Sequence, residues 1–153
     1  PHSLAIDVVE RQPVGVVSMG YLYYLDGNGD IFKPLQEGDS LDFPAITGLA
    51  EDDLVHDPAG TKETLKGILS LLEELKKERS GIVLADISEL HYDKGFGYTL
   101  FTMNKGLPIR LGMEGFSEKL DRLAKVYSQL QPQIPALEYI DLDYSDRIVV
   151  KKT

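Results

Sequence analysis

The sequence predicts an α+β fold, a mainly antiparallel β-sheet with two helices packed on it. Several short segments alternate apolar and polar residues with the period of two that marks a half-buried strand. Two longer segments instead set their apolar residues on one helical stripe. Links between consecutive strand segments are hairpin-length and rich in Gly, Asn and Asp, which joins strands antiparallel. A chain of 153 residues with 42% hydrophobic and 27% charged residues suits one domain with a packed core.

Residues 4–9 read as a short apolar-rich strand, interrupted by Glu10, Arg11, Gln12 and Pro13 before residues 14–19 continue extended. Residues 21–25 and 31–33 flank Asp26, Gly27, Asn28, Gly29 and Asp30, a hairpin turn in which Gly and Asn tolerate positive φ. A polar loop over 34–42 leads to an apolar turn at 43–48. Asp57 and Pro58 open the first long helix, Asp as a cap and Pro in the first turn. Its stripe is Leu65, Ile68, Leu69, Leu72 and Leu75; Lys76, Lys77 and Arg79 suit its negative end and Gly81 its C-cap. Strands are expected over 82–90, 98–103 and 107–111, with turns at 94–97 and 104–106. The second helix runs over 116–130, carries Phe116, Leu120, Leu123, Tyr127 and Leu130 on one stripe, and ends before Pro132 and Pro135. In the closing segment Ile140, Leu142 and Tyr144 alternate with Tyr139, Asp141 and Asp143; Ile148, Val149 and Val150 follow, then Lys151 and Lys152. A terminal strand ending in charges belongs at a sheet edge, where a partner's strand can be held by backbone hydrogen bonds.

A net charge of -9 repels phosphates and argues against nucleic acid. The chain has no cysteine, which excludes disulfides, thiol catalysis and Cys-based zinc sites. No apolar run reaches the about 18 residues of a transmembrane helix. The start lacks Met and reads as mid-strand, so a longer parent protein is expected.

Candidate chemistry is sparse. Asp26, Asn28, Asp30 and Glu37 fall at calcium-loop spacings, but Ile31 stands where the loop needs Gly. His56 neighbours Asp52, Asp53 and Asp57, acids that a helix start favours without a metal. Asp141 and Asp143 share one strand face about 7 Å apart, a separation that two-carboxylate hydrolysis could use. No nucleophile elbow, P-loop or dinucleotide fingerprint is present. Phe96, between Gly95 and Gly97, reads as a core residue or a loop-tip contact, core the favoured of the two. Tyr21, Tyr23 and Tyr24 read as sheet packing.

Several segments together resemble the FtsQ/DivIB family of bacterial cell-division proteins. Leu4 through Val14 resembles the junction "L-x-I-x-V-x-E-x-x-P", and Tyr23 through Phe32 a "lvD-x-x-G-x-vF" hairpin. Phe43 through Gly48 resembles "lP-x-l-x-G", Tyr98 through Phe101 and Ile109 through Gly112 the strands "w-x-l-x-L" and "v-x-L-G", and Tyr139 through Tyr144 the ending "y-v-D-l-R-Y". The likeness spans nearly the whole chain in the family's order. Asp143 departs from the usual Arg, Tyr98 from the usual Trp, and Ser145, Asp146 and Arg147 from a Gly-containing turn.

The resemblance implies a non-enzymatic scaffold of the divisome, without cofactor or metal. It implies that residues 1–13 are the last strand of a POTRA domain with its junction, and that 14–153 are the following β domain. It also implies a single-pass anchor upstream in the inner (plasma) membrane, with this domain on the periplasmic side. Partners are then FtsB and FtsL, an FtsB segment adding a strand at Tyr144, Ser145, Asp146, Arg147, Ile148, Val149 and Val150. The alternative is an extracytoplasmic carbohydrate-binding module or weak hydrolase working through Asp141 and Asp143.

Overall fold

The strands are β1 (Pro13–Met19), β2 (Tyr21–Asp26), β3 (Ile31–Pro34), β4 (Ala45–Thr47), β5 (Ile87–Asp93), β6 (Gly97–Thr102), β7 (Pro108–Gly112), β8 (Leu137–Asp141) and β9 (Val149–Lys152). The helices are α1 (Glu51–His56), α2 (Pro58–Lys76) and α3 (Phe116–Leu130). The structure, a computed structural model, describes residues 2–153. The strands form one nine-stranded sheet in the order β3-β2-β1-β4-β5-β6-β7-β8-β9.

The sheet is mainly antiparallel, as expected, but not purely so. β1 and β4, β4 and β5, and β7 and β8 pair in parallel; the other neighbours are antiparallel. Hairpin-length links indeed reverse the chain, but α1 and α2 lie between β4 and β5, and α3 between β7 and β8. A strand that follows a helix crossover comes back pointing the same way.

Three local expectations change as well. Residues 2–12 form no strand, and Leu4, Ile6 and Val8 are 84%, 71% and 79% exposed. β1 is already flanked by β2 and β4, and a strand without a neighbour to pair with is not stable. The strand expected over 82–90 begins instead with a 3-10 turn at Leu84–Asp86, and β5 starts after it. Helix α2 ends with Lys77 as its extended C-cap, so Gly81, at φ 105, lies in the following loop. The α2 start is as expected: the Asp57 carboxylate accepts from Gly60 N at 3.0 Å.

Both long helices pack their apolar stripes on one face of the sheet. Leu65, Ile68, Leu71, Leu72 and Leu75 of α2 and Phe116, Leu120 and Leu123 of α3 join Leu25, Ile46, Leu90, Leu100, Ile109 and Ile140 in one buried cluster. Arg79 ties the helices, donating to the Glu74 carbonyl at 2.8 Å and lying 3.0 Å from Asp121 of α3. Tyr98 stands in the centre, its hydroxyl donating to the Thr64 carbonyl at 2.9 Å and its ring 5.4 Å from Phe116, edge-on. Burial pushes its phenol up to about 12. The alternate residues of the same strands, Thr99 of β6, Arg110 of β7 and Asp141 of β8, emerge on the opposite face.

Candidate functional site

The closing strand is the last of the sheet. β9 pairs with β8 through Tyr139↔Lys151, Ile140↔Val150 and Asp141↔Val149, with the irregularity between Leu137 and Tyr139 on the β8 side. The Thr153 N–H donates to the Ala136 carbonyl at 2.9 Å. Backbone groups alternate along a strand, so Val149 and Lys151 face β8, while Val150 and Lys152 turn theirs to the open edge. Just past β8 the Leu142 N–H donates to the Arg110 carbonyl of β7 at 2.8 Å, which fits the same alternation. Side chains follow: Ile148 and Val150 pack against the buried cluster, and Val149 shares the outer face with its cross-strand neighbour Asp141.

The expected edge of Tyr144 through Val150 therefore divides. Tyr144, Ser145, Asp146 and Arg147 lie in an exposed turn, and Ile148 leads into β9, which continues to Lys152. The turn supplies side chains and the strand supplies backbone. Tyr144 is 41% exposed. Asp146 and Arg147 pair at 3.0 Å, and this contact holds the Asp146 carboxyl below the usual range. Glu138, 3.0 Å from Lys151, raises the lysine's pKa.

Next to the edge, the outer face carries a shallow depression of about 460 Å³ lined by His91, Phe96, Thr99, Arg110, Asp141 and Asp143, with Asp93 at its rim. The two acids meet different cations: Asp141 lies 3.8 Å from Arg110, and Asp143 lies 3.1 Å from Lys119 of α3. Asp141 also accepts from the Asp143 N–H at 2.9 Å, a local turn contact. Two-carboxylate hydrolysis needs an acid and a base that face a common substrate; here each carboxylate faces its own cation. Arg110 stacks over the Tyr139 ring at 4.1 Å. The position of Asp143 depends on glycine: a Cβ on Gly112, at φ 72, would collide with the Asp143 carboxylate. At the far side Thr47 Oγ1 lies 2.6 Å from Glu89 and 2.7 Å from His91 Nδ1. The Thr47 proton goes to the carboxylate, so His91 Nδ1 donates to Thr47.

The other candidates lie elsewhere. Asp26 is 3% exposed and its Oδ1 accepts from Asn28 N and Asp30 N, both at 2.9 Å, so it serves its own hairpin. Asp53 pairs with Lys94 at 3.1 Å and His56 Nδ1 meets the Asp52 carbonyl at 3.0 Å. Among the described residues no group of three or more His, Cys, Asp or Glu is placed to hold a metal ion. Phe96 is 84% exposed, a loop tip rather than core: it sits in the turn between β5 and β6, where Asp93 Oδ1 accepts from Gly95 N and Phe96 N. Sequence reading missed Lys119 and Arg122. Their only signal was spacing: cations three apart on α3 share a helix face beside the apolar stripe.

A family profile described as "Cell division protein FtsQ/DivIB, C-terminal" matches residues 15–143. The chain belongs to the FtsQ/DivIB family. It is 59% identical over 99% of its length to the Cell division protein FtsQ of Geotalea daltonii, covering 55% of that relative. It is 56% identical to the FtsQ of a Geobacter species over 99% of this chain and 55% of the relative, and 38% identical to that of Syntrophotalea carbinolica over 99% and 53%. The family profile stops before β9, whereas these FtsQ proteins align through it. The chain thus spans about half the length of the FtsQ relatives it matches, at 55%, 55% and 53%. The profile and these relatives are named as cell-division proteins. Among the described residues no helix is long and apolar enough to cross a membrane.

Proposed function

We propose that this chain is the extracytoplasmic domain of a non-enzymatic divisome scaffold, and that it receives FtsB/FtsL-type partners by strand addition at β9. In this reading residues 1–13 are the end and junction of a POTRA domain, and 14–153 are the β domain. The parent protein is anchored by one transmembrane helix in the inner membrane, with this domain on the periplasmic side. The docking residues are Tyr144, Ser145, Asp146, Arg147, Ile148, Val149 and Val150, joined by the backbone of Lys152.

The observation that carries the reading is the free backbone edge of β9 at the end of a nine-stranded sheet in an FtsQ-family chain. A peptide added there gains main-chain hydrogen bonds, and alternate side chains supply selectivity. The cation partners of Asp141 and Asp143 weigh against hydrolysis.

Calorimetry tests the reading with a synthetic FtsB-type peptide. Val150→Pro removes an outward donor and Tyr144→Ala removes the turn's aromatic side chain. Both should bind more weakly with the fold retained. Unchanged affinity in both variants would remove β9 as the docking edge.

A further inference from the structure

We propose that Arg122 is a positioning residue for the docking edge, holding the turn that delivers β9 from a helix on the other side of the sheet's end. This inference rests on the β9 reading above. Between β8 and β9 the chain leaves the ladder, and each backbone polar group there needs another partner. At the base of the turn, the Asp143 N–H is taken by Asp141, and Lys119 Nζ reaches Asp143 at 3.1 Å. Lys119 also donates to the carbonyls of Leu111 and Glu114, both at 2.7 Å, so it is anchored to the end of β7 and the start of α3.

Higher in the turn the tether changes. Arg122 donates from one terminal nitrogen to the Tyr144 carbonyl at 2.7 Å and from the other to the Ser145 carbonyl at 2.8 Å. The planar guanidinium fork spans two consecutive carbonyls, which a lysine ammonium cannot match in direction. Beyond Ser145, Asp146 and Arg147 are exposed and paired with each other. Arg122 therefore makes the last side-chain hydrogen bond from another element to the chain before β9 begins. It fixes the direction of the Tyr144 side chain and the course of the turn through Ser145. Ile148, just before β9, and Val150 within it are secured separately by packing. Loss of Arg122 should thus loosen the turn while the sheet persists.

The test uses the whole chain and the same FtsB-type peptide, with Arg122→Met, Arg122→Lys and the edge control Val150→Pro. Arg122→Met should weaken the peptide about tenfold, and Arg122→Lys should recover part of that loss. Amide exchange of Val149 and Lys151, whose N–H groups face β8, should stay near wild type in the free protein, while exchange at Tyr144 through Arg147 speeds up. If Arg122→Met proves unfolded by circular dichroism, Arg122→Lys carries the reading, and an intermediate affinity supports it. Wild-type affinity in Arg122→Met, or in Arg122→Lys when it stands in, overturns the proposal. With Val150→Pro weakened, that result removes only the role of Arg122; with Val150→Pro also unchanged, the docking edge itself falls. Fast exchange at Val149 and Lys151 in Arg122→Met also overturns the proposal, because the residue would then hold the strand rather than present it.

Discussion

The two edges of this sheet are built to opposite ends. At β3 the edge strand is four residues long and finishes in Pro34, which has no N–H to offer. Lys33 sits at φ 42, turning the backbone out of strand geometry. The chain then folds back: Leu35 N donates to the Leu22 carbonyl at 2.9 Å, and Asp39 meets both Lys33 and Gln36 N at 2.9 Å. The outer face at that end is also covered, Tyr24 lying 5.8 Å from Phe32 and 5.9 Å from Phe43 with its hydroxyl on the Ser40 carbonyl at 2.7 Å. At β9 the strand keeps its outward backbone groups, and the adjoining face is polar and open. The difference teaches that a protein can expose one pairing edge safely if it blocks the other. Two free edges would let copies add head to tail without closure.

The largest effect tests whether the two ends share one core. Leu25→Ala near β3 and Ile140→Ala near β9 remove side chains that are both 0% exposed, and each should cost about 2–5 kcal/mol in urea unfolding. A single cooperative transition in both variants is expected; a separate early transition in only one would show that the ends unfold independently. The next effect is confined to one end. Val150→Pro should lower peptide affinity about tenfold, roughly the loss of one or two net hydrogen bonds, whereas Phe43→Leu at the closed end should leave it unchanged in the same titration.

Tyr98, in the middle strands, is the internal standard. Tyr98→Phe should cost about 1 kcal/mol for the lost bond to Thr64 and leave peptide affinity alone. Its folded-state pKa is raised from 10.0 to about 12. The stability tied to its neutral phenol is therefore whole below pH 10 and is lost as the pH climbs toward 12. Denaturation followed over that window should show a steeper loss in the wild type than in Tyr98→Phe. The smallest expected effect converts the closed edge. Lys33→Thr with Pro34→Thr should restore a flat edge and produce weak, concentration-dependent self-association in sedimentation velocity, absent from the wild type. Monomeric behaviour at high concentration would show that the covering loop alone protects β3.

Much of this was legible where the signal is local. The Asp26 to Asp30 turn, the α2 start at Asp57 and Pro58, the span of α3 and the edge position of the last strand all follow from capping, turn chemistry and periodicity. The parallel pairs were missed because strand direction depends on what the link contains, and two of the links contain helices. The tail at residues 4–9 reads as a strand by pattern, yet pattern supplies no neighbour to pair with. Helix α1 was missed because it is short and buries none of its residues. Arg122 and Lys119 escaped notice because their partners are carbonyls and a carboxylate more than twenty positions away, or backbone atoms that carry no residue signature. The exposed Phe96 shows the reverse limit: an aromatic flanked by glycines looks the same in sequence whether it points in or out.

The strand order has a consequence for how the molecule comes into being. From β4 to β9 the strands lie in the sheet in the order in which they occur along the chain. A polypeptide emerging from its N-terminus can therefore lay each strand against one already in place. The final four-residue strand, Val149–Lys152, has nothing to lean on until Leu137–Asp141 has joined β7. Its open side comes into existence only after β4 to β8 have been made. A chain that stops before β9 leaves β8 as the open strand, with a different register and different side chains beside it.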